Sequence, residues 1–346
     1  MIRKVICLEE HVSDPDLLEA TRPLLERYEP YLLDLGATVQ DNPNSWPPNR
    51  PHLQAQDVAR NKVGAAGEER LAEMDQHGIT MQVLSYALPI ELLPPEEAAR
   101  VARKANERLA ETIIANSTRF RGFAILPWQN PAAAVDELTY GIKHLGLSGA
   151  LLAGHPSRDA LLDDMRFDAV LGKLEELRVP LYIHPGPPFA EVQRAYYSGF
   201  SREVSARLSL HSWGWHHEAG IQIVRLILSG ALQRHPGLIL ISGHWGEMVP
   251  FFLQRLDDTL PPEATGLEAT ISETYRKHVY VTPSGMLDLS QFRFVYETIG
   301  ASRIMLSIDY PYLTLNGTRQ WIESLPISEE ERDQIAYRNA EALFRL

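Results

Sequence analysis

The chain holds one cysteine in 346 residues, Cys7, so no internal disulfide forms and a thiolate-rich structural zinc site is excluded. A reducing, cytoplasmic setting is the expectation. Basic residues are in the minority, with 33 Lys and Arg against 45 Asp and Glu for a net charge of −12, and no basic block gathers them. Phosphate binding relies on concentrated Lys and Arg, so this balance argues against a nucleic-acid partner. Apolar runs stay short of the roughly 18 residues that a bilayer crossing needs, and the opening residues lack a charged-then-apolar leader. No membrane partner is expected. A glycine-rich loop after the first apolar run is also missing, which argues against an open dinucleotide-binding sheet. What the chain does have is 45% hydrophobic and 23% charged residues, enough apolar surface for a large core.

The first apolar run, Val5 to Leu8, leads into Glu9-Glu10-His11. Such a run reads as a buried strand, whose alternation puts Glu9 and His11 on one face and Glu10 on the other. Glu10 has no role in this reading and is expected to tolerate substitution. Asp14 to Glu29 reads as a helix broken at Pro23 and stopped by Pro30. Pro43, Pro47, Pro48 and Pro51 then interrupt a stretch with several Asn, so an irregular insertion is expected over residues 36–66. From Glu68 onward strands and helices alternate. Strands are predicted over 79–85, 120–126, 149–153, 179–184, 238–244, 279–282 and 304–309, and a helix over 328–344 closes the series. With the opening strand this makes eight, the count of a parallel (β/α)8 TIM barrel forming a single domain over residues 1–346.

Four of these strands end in a potential metal ligand: Glu9 with His11, then His184, His244 and Asp309. In a parallel barrel the C-terminal strand ends meet at one face, where active sites sit. Histidine and carboxylate ligands suit one catalytic divalent ion, Zn²⁺ or Mn²⁺. Singly, each of these residues also fits an ordinary structural role, the role expected of His144, His235 and His278. Four coincidences at one end of four strands favour the metal.

Leu8-Glu9-Glu10-His11, Leu181-Tyr182-Ile183-His184-Pro185, Gly243-His244-Trp245-Gly246-Glu247 and Asp309-Tyr310-Pro311-Tyr312 together resemble the amidohydrolase-related decarboxylases. That group contains the aminocarboxymuconate semialdehyde, γ-resorcylate and 5-carboxyvanillate decarboxylases. Leu71-Ala72-Glu73-Met74-Asp75 and Val281-Thr282-Pro283-Ser284-Gly285 extend the resemblance over nearly the whole chain, and Glu-x-His at the opening resembles the aromatic-acid branch. The resemblance implies an amidohydrolase-type barrel with the metal held by Glu9, His11, His184 and Asp309, His244 beside it, and Glu247, at the start of the following helix, orienting that ring. It implies a homodimer or homotetramer, in which Arg255 is similar to an arginine that approaches a neighbouring subunit's site. Arg255 equally suits a surface position on its helix.

The activity implied is non-oxidative decarboxylation of a small aromatic or related unsaturated carboxylic acid, with Asp309 as proton donor and His244 and Glu247 assisting. Hydrolysis of a lactone, ester or amide by the same site is the alternative, and a non-catalytic, metal-stabilised binding protein is a third reading. Ala153 stands where this group is expected to carry a substrate-contacting asparagine at the end of the fourth strand. His155, His216 or His217, with Trp215, are the candidates to replace that contact, and each histidine also suits the surface.

Overall fold

The computed structural model describes residues 2–28, 31–32, 47–64 and 66–346. All eight expected strands are present: β1 (Ile6–His11), β2 (Met81–Ser85), β3 (Phe120–Gly122), β4 (Ala150–Ala153), β5 (Leu181–His184), β6 (Leu240–Ser242), β7 (Val279–Val281) and β8 (Leu306–Ser307). Every ladder is parallel. The strands group into two crescents ordered β3-β2-β1-β8 and β4-β5-β6-β7. Parallel bridges Ala124–Ala150 and Val281–Ile304 join the crescents at their two edges, closing the barrel. Strand interiors such as Val83, Leu151, Ile183 and Ile241 are buried, which stabilises the barrel by roughly 1.5–3 kcal/mol per large side chain.

The helices lie between the strands as the alternation requires. Helix α1 (Pro15–Tyr28) runs through Pro23 instead of breaking there. Proline removes the N–H that would serve the carbonyl of Glu19, but both residues are exposed, so solvent can serve that carbonyl while Leu17 and Thr21 hold the helix to the core.

Of the expected insertion over 36–66, residues 36–46 and 65 lie outside the described residues. The remainder is not loop throughout. Helix α2 (Gln56–Val63) occupies its end, a stretch free of proline and glycine with Asp57 in the first turn and Arg60 and Lys62 in the last, the charge order that the helix dipole favours. Ahead of it, the Gln54 side chain donates to the Pro311 carbonyl at 2.7 Å and Leu53 bridges to Leu313, which ties the insertion to the chain leaving β8.

Helices α3 (Glu68–Gln76), α4 (Pro95–Ala115), α5 (Pro131–Lys143), α6 (Asp168–Leu177), α7 (Arg202–Ser209), α8 (Gly214–Leu228) and α9 (Val249–Thr259) follow in order. The closing helix is present as Glu329–Asp333 and Asn339–Phe344, joined through a π turn at Gln334–Arg338. Among the described residues no helix is long and apolar enough to cross a membrane.

Candidate active site

The three ionisable residues that end β1 are fully buried, so each needs a partner. Glu9 has a φ of +62°, and the β1–β2 register slips between Cys7 and Glu10, one extra residue on β1. This bulge re-aims the strand tip. Glu9 Oε2 accepts from the Ser284 hydroxyl and from Ser307 Oγ at 3.1 Å, while Oε1 has no hydrogen-bond partner and lies 3.6 Å from His184 Nε2. His11 Nε2 lies 3.0 Å from Asp309 Oδ1, yet neither atom makes a hydrogen bond. His184 Nδ1 donates to the Pro185 carbonyl at 2.7 Å, which leaves the lone pair on Nε2. Burial first, then His11 and His244, keeps that ring neutral by pushing it well below its usual range.

The ligand atoms of His11, His184 and Asp309 lie within 4.8 Å of one another. Unpaired buried carboxylate oxygens facing imidazole nitrogens are the donor set of a divalent cation, so these residues fit a metal. Glu9 Oε1, also without a hydrogen-bond partner, lies beside them, 3.6 Å from His184 Nε2.

His244 stands beside this cluster. Its Nδ1 is 2.8 Å from Glu247 Oε1 and 3.8 Å from Glu9 Oε1. Burial opposes a charge on the ring, but Glu247, Glu9 and Asp309 outweigh it and push His244 up to about 10. A cation held among Glu9, His11, His184 and Asp309 would offset two of those three carboxylates, leaving Glu247 as the lasting partner.

Glu247 does not begin the following helix, as its spacing suggested. His244, Trp245, Gly246, Glu247 and Met248 all have positive φ, and α9 starts only at Val249. This left-handed turn brings the Glu247 carboxylate back to the ring. A side chain at Gly246 would meet the Tyr275 hydroxyl, and one at Gly243 would meet Glu9 Oε1 at 2.8 Å, so glycine is required at both. Among the described residues nine non-glycine positions have positive φ; Arg178 and Arg345 lie away from the site, as helix C-caps, and Glu9, His244, Trp245, Glu247, Met248, Ser284 and Asp309 carry the rest.

The amidohydrolase family model matches residues 52–346, most of the chain. The chain belongs to the amidohydrolase family. A γ-resorcylate decarboxylase from Rhodococcus jostii is 34% identical to this amidohydrolase over 293 residues, 80% of this chain and 87% of the relative. Among solved structures, the 5-carboxyvanillate decarboxylase of Sphingomonas paucimobilis is 30% identical, covers 99% of each chain and superposes with a TM-score of 0.86. A dihydroxybenzoic acid decarboxylase from a Polaromonas species, solved with bound manganese and the inhibitor 2-nitroresorcinol, is 28% identical over 99% of this chain and 97% of its own, with a TM-score of 0.83. The barrel is therefore that of the amidohydrolase-type decarboxylases.

The other expected contacts of this amidohydrolase separate. His155 is buried 3.0 Å from Glu218 and stacked on Phe189 at 3.9 Å, outside the ligand cluster. His217 is exposed on α8, and Arg255 is exposed on α9. The residue that α8 delivers to the site is His216, one position away and about 100° round the helix. His216 Nδ1 lies 2.9 Å from Glu247 Oε2, so Glu247 serves two histidines, one per oxygen. Trp215 supports it, its indole N–H donating to His216 Nε2 at 3.1 Å.

Sequence reasoning named His216 among its candidates but passed over Ser284 and Ser307, although Ser284 lies in a quoted motif. Ser284 Oγ accepts from the His244 backbone N–H at 2.8 Å while donating to Glu9, which links the two halves of the site. Replacing it with alanine leaves that N–H and Glu9 Oε2 short of a partner. Ser284→Ala is expected to weaken metal affinity about 10- to 100-fold, read by chelator competition, with the fold retained by circular dichroism.

Proposed function

We propose that the protein is a metal-dependent, non-oxidative decarboxylase of a hydroxybenzoate-like aromatic acid, with Glu9, His11, His184 and Asp309 as metal ligands. One observation carries this reading: the unpaired His11 Nε2 and Asp309 Oδ1 converge with His184, whose Nε2 lies 3.6 Å from the unpaired Glu9 Oε1, in a barrel whose relatives are aromatic-acid decarboxylases. A divalent ion held there supplies Lewis-acid anchoring for a carboxylate and a neighbouring hydroxyl oxygen and draws charge from the ring. Manganese is the ion we propose, supported by the manganese in the Polaromonas neighbour.

Asp309 gives its proton to the ring carbon that bears the carboxylate. The new C–H bond forms at the cost of aromaticity, then the carbon–carbon bond breaks, its electron pair restores the ring, and CO₂ leaves. His244, held by Glu247, supplies positive charge beside the substrate while the ring is dearomatised. Solvent returns one proton per turnover. The wider reading includes a cytoplasmic setting, supported by the lone buried Cys7, and self-association, supported by the exposed aromatic group Phe251, Phe252 and Phe294.

The test is to incubate purified, metal-analysed protein with 2,6-dihydroxybenzoate, 5-carboxyvanillate, an aminocarboxymuconate-type acid and simple lactones, and to follow products by mass. Loss of CO₂ from an aromatic acid is the expected result. Gain of water by a lactone, with no CO₂ from any acid, would overturn the proposal.

A further inference from the structure

We infer that Glu10, backed by Gln82 and Arg70, is a positioning residue that sets Asp309 against His11, deepening the proposed site and resting on it for its kinetic part. The sequence reading left Glu10 free to vary; its surroundings argue otherwise. Glu10 Oε1 accepts from the backbone N–H of Ile308 at 3.0 Å, and Oε2 accepts from that of Tyr310 at 3.2 Å. These are the two amides that flank Asp309, whose own φ is +71°. One carboxylate thus grips the chain on both sides of a residue held in a disfavoured backbone conformation.

The grip is anchored from behind. The Gln82 amide donates to Glu10 Oε2 at 3.4 Å and accepts from Arg70 Nε at 2.7 Å. Arg70 in turn donates to the carbonyl of His11 at 2.8 Å and lies over the Tyr310 ring, 4.7 Å from its centroid. The backbone N–H of His11 donates to the Tyr310 carbonyl at 2.6 Å. The tail of β1 and the turn after β8 are therefore fastened to each other through one buried group. Glu10 and Gln82 are fully buried and Arg70 is 2% exposed, and none of the three has an atom among the converging ligand atoms. Their influence on the site runs through the backbone on either side of Asp309 and through His11.

Glu10→Gln keeps the shape but turns one acceptor oxygen into a donor facing other donors, so the turn carrying Asp309 relaxes. The expected result is a soluble protein whose metal affinity, measured by chelator competition, falls about 10- to 100-fold. At saturating metal, kcat stays about tenfold or more below wild type while KM changes by less than about twofold. A merely structural role would lower the melting temperature and leave affinity and kcat at wild-type values, and that outcome overturns the inference. Should Glu10→Gln fail to fold, Gln82→Met removes the anchor while keeping the acid, and the same split is expected at about threefold in each quantity; wild-type affinity and kcat in a folded Gln82→Met would overturn the inference too. If the wild-type protein releases no CO₂ from any acid, the proposed function fails, and the metal-affinity measurement still decides this one.

Discussion

Asp309→Asn is expected to lower kcat by about 10²- to 10⁴-fold, the range that a positioned proton donor contributes. The substitution is close to isosteric, and asparagine tolerates the left-handed backbone that Asp309 adopts, so the turn after β8 should survive it. Asparagine keeps an oxygen where Oδ1 now lies, 3.0 Å from His11 Nε2, but has no carboxylic proton to give. Glu9, His11 and His184 remain, so substantial metal should stay bound. Single-turnover kinetics together with metal analysis checks both parts. Full turnover in a metal-loaded Asp309→Asn protein would remove Asp309 from the proton-transfer role.

Stripping the metal carries the second large effect. Dialysis against a chelator is expected to abolish CO₂ release, and added Mn²⁺ is expected to restore it. Stability should move with it, because an ion that binds only the folded chain stabilises by about 4 kcal/mol at a thousandfold excess over its Kd. Proton competition gives this effect a sign. Burial, reinforced by Asp309, raises Glu9 above its ordinary value of 4.5. In the stripped protein that raised value favours the folded state at low pH, and the advantage is lost as pH rises through it. The metal needs the ionised carboxylate, so the melting-temperature shift on adding Mn²⁺ should grow with pH across the same window. A shift that shrinks as pH rises would contradict Glu9 as a ligand.

The architecture was legible because two kinds of periodicity run through the chain. Apolar strand runs such as Leu181-Tyr182-Ile183 alternate with amphipathic helices, and a parallel barrel sends every strand end to one face, which is enough to gather Glu9, His11, His184, His244 and Asp309 there. The backbone exceptions were harder to read. Nothing in His244-Trp245-Gly246-Glu247-Met248 beyond one glycine announces five successive positive φ angles, since L-residues disfavour that conformation and tertiary contacts impose it.

The surroundings of Glu10 were hidden for a related reason. Strict alternation sends it away from the ligands, which is true, but its partners are backbone amides nearly 300 residues along the chain, and an amide leaves no mark in a sequence. His216 and His217 are adjacent on one helix, and only the phase of α8 chooses between them.

Among the described residues the two crescents of the barrel meet at the bridges Ala124–Ala150 and Val281–Ile304, with backbone hydrogen bonds on either side of each. The proposed ligands are divided between them, with Glu9, His11 and Asp309 supplied by the β1–β8 side and His184 by the β4–β7 side. A cation held by all four would tie one crescent to the other across the mouth of the barrel, a cross-link added to the backbone hydrogen bonds that already close its two edges.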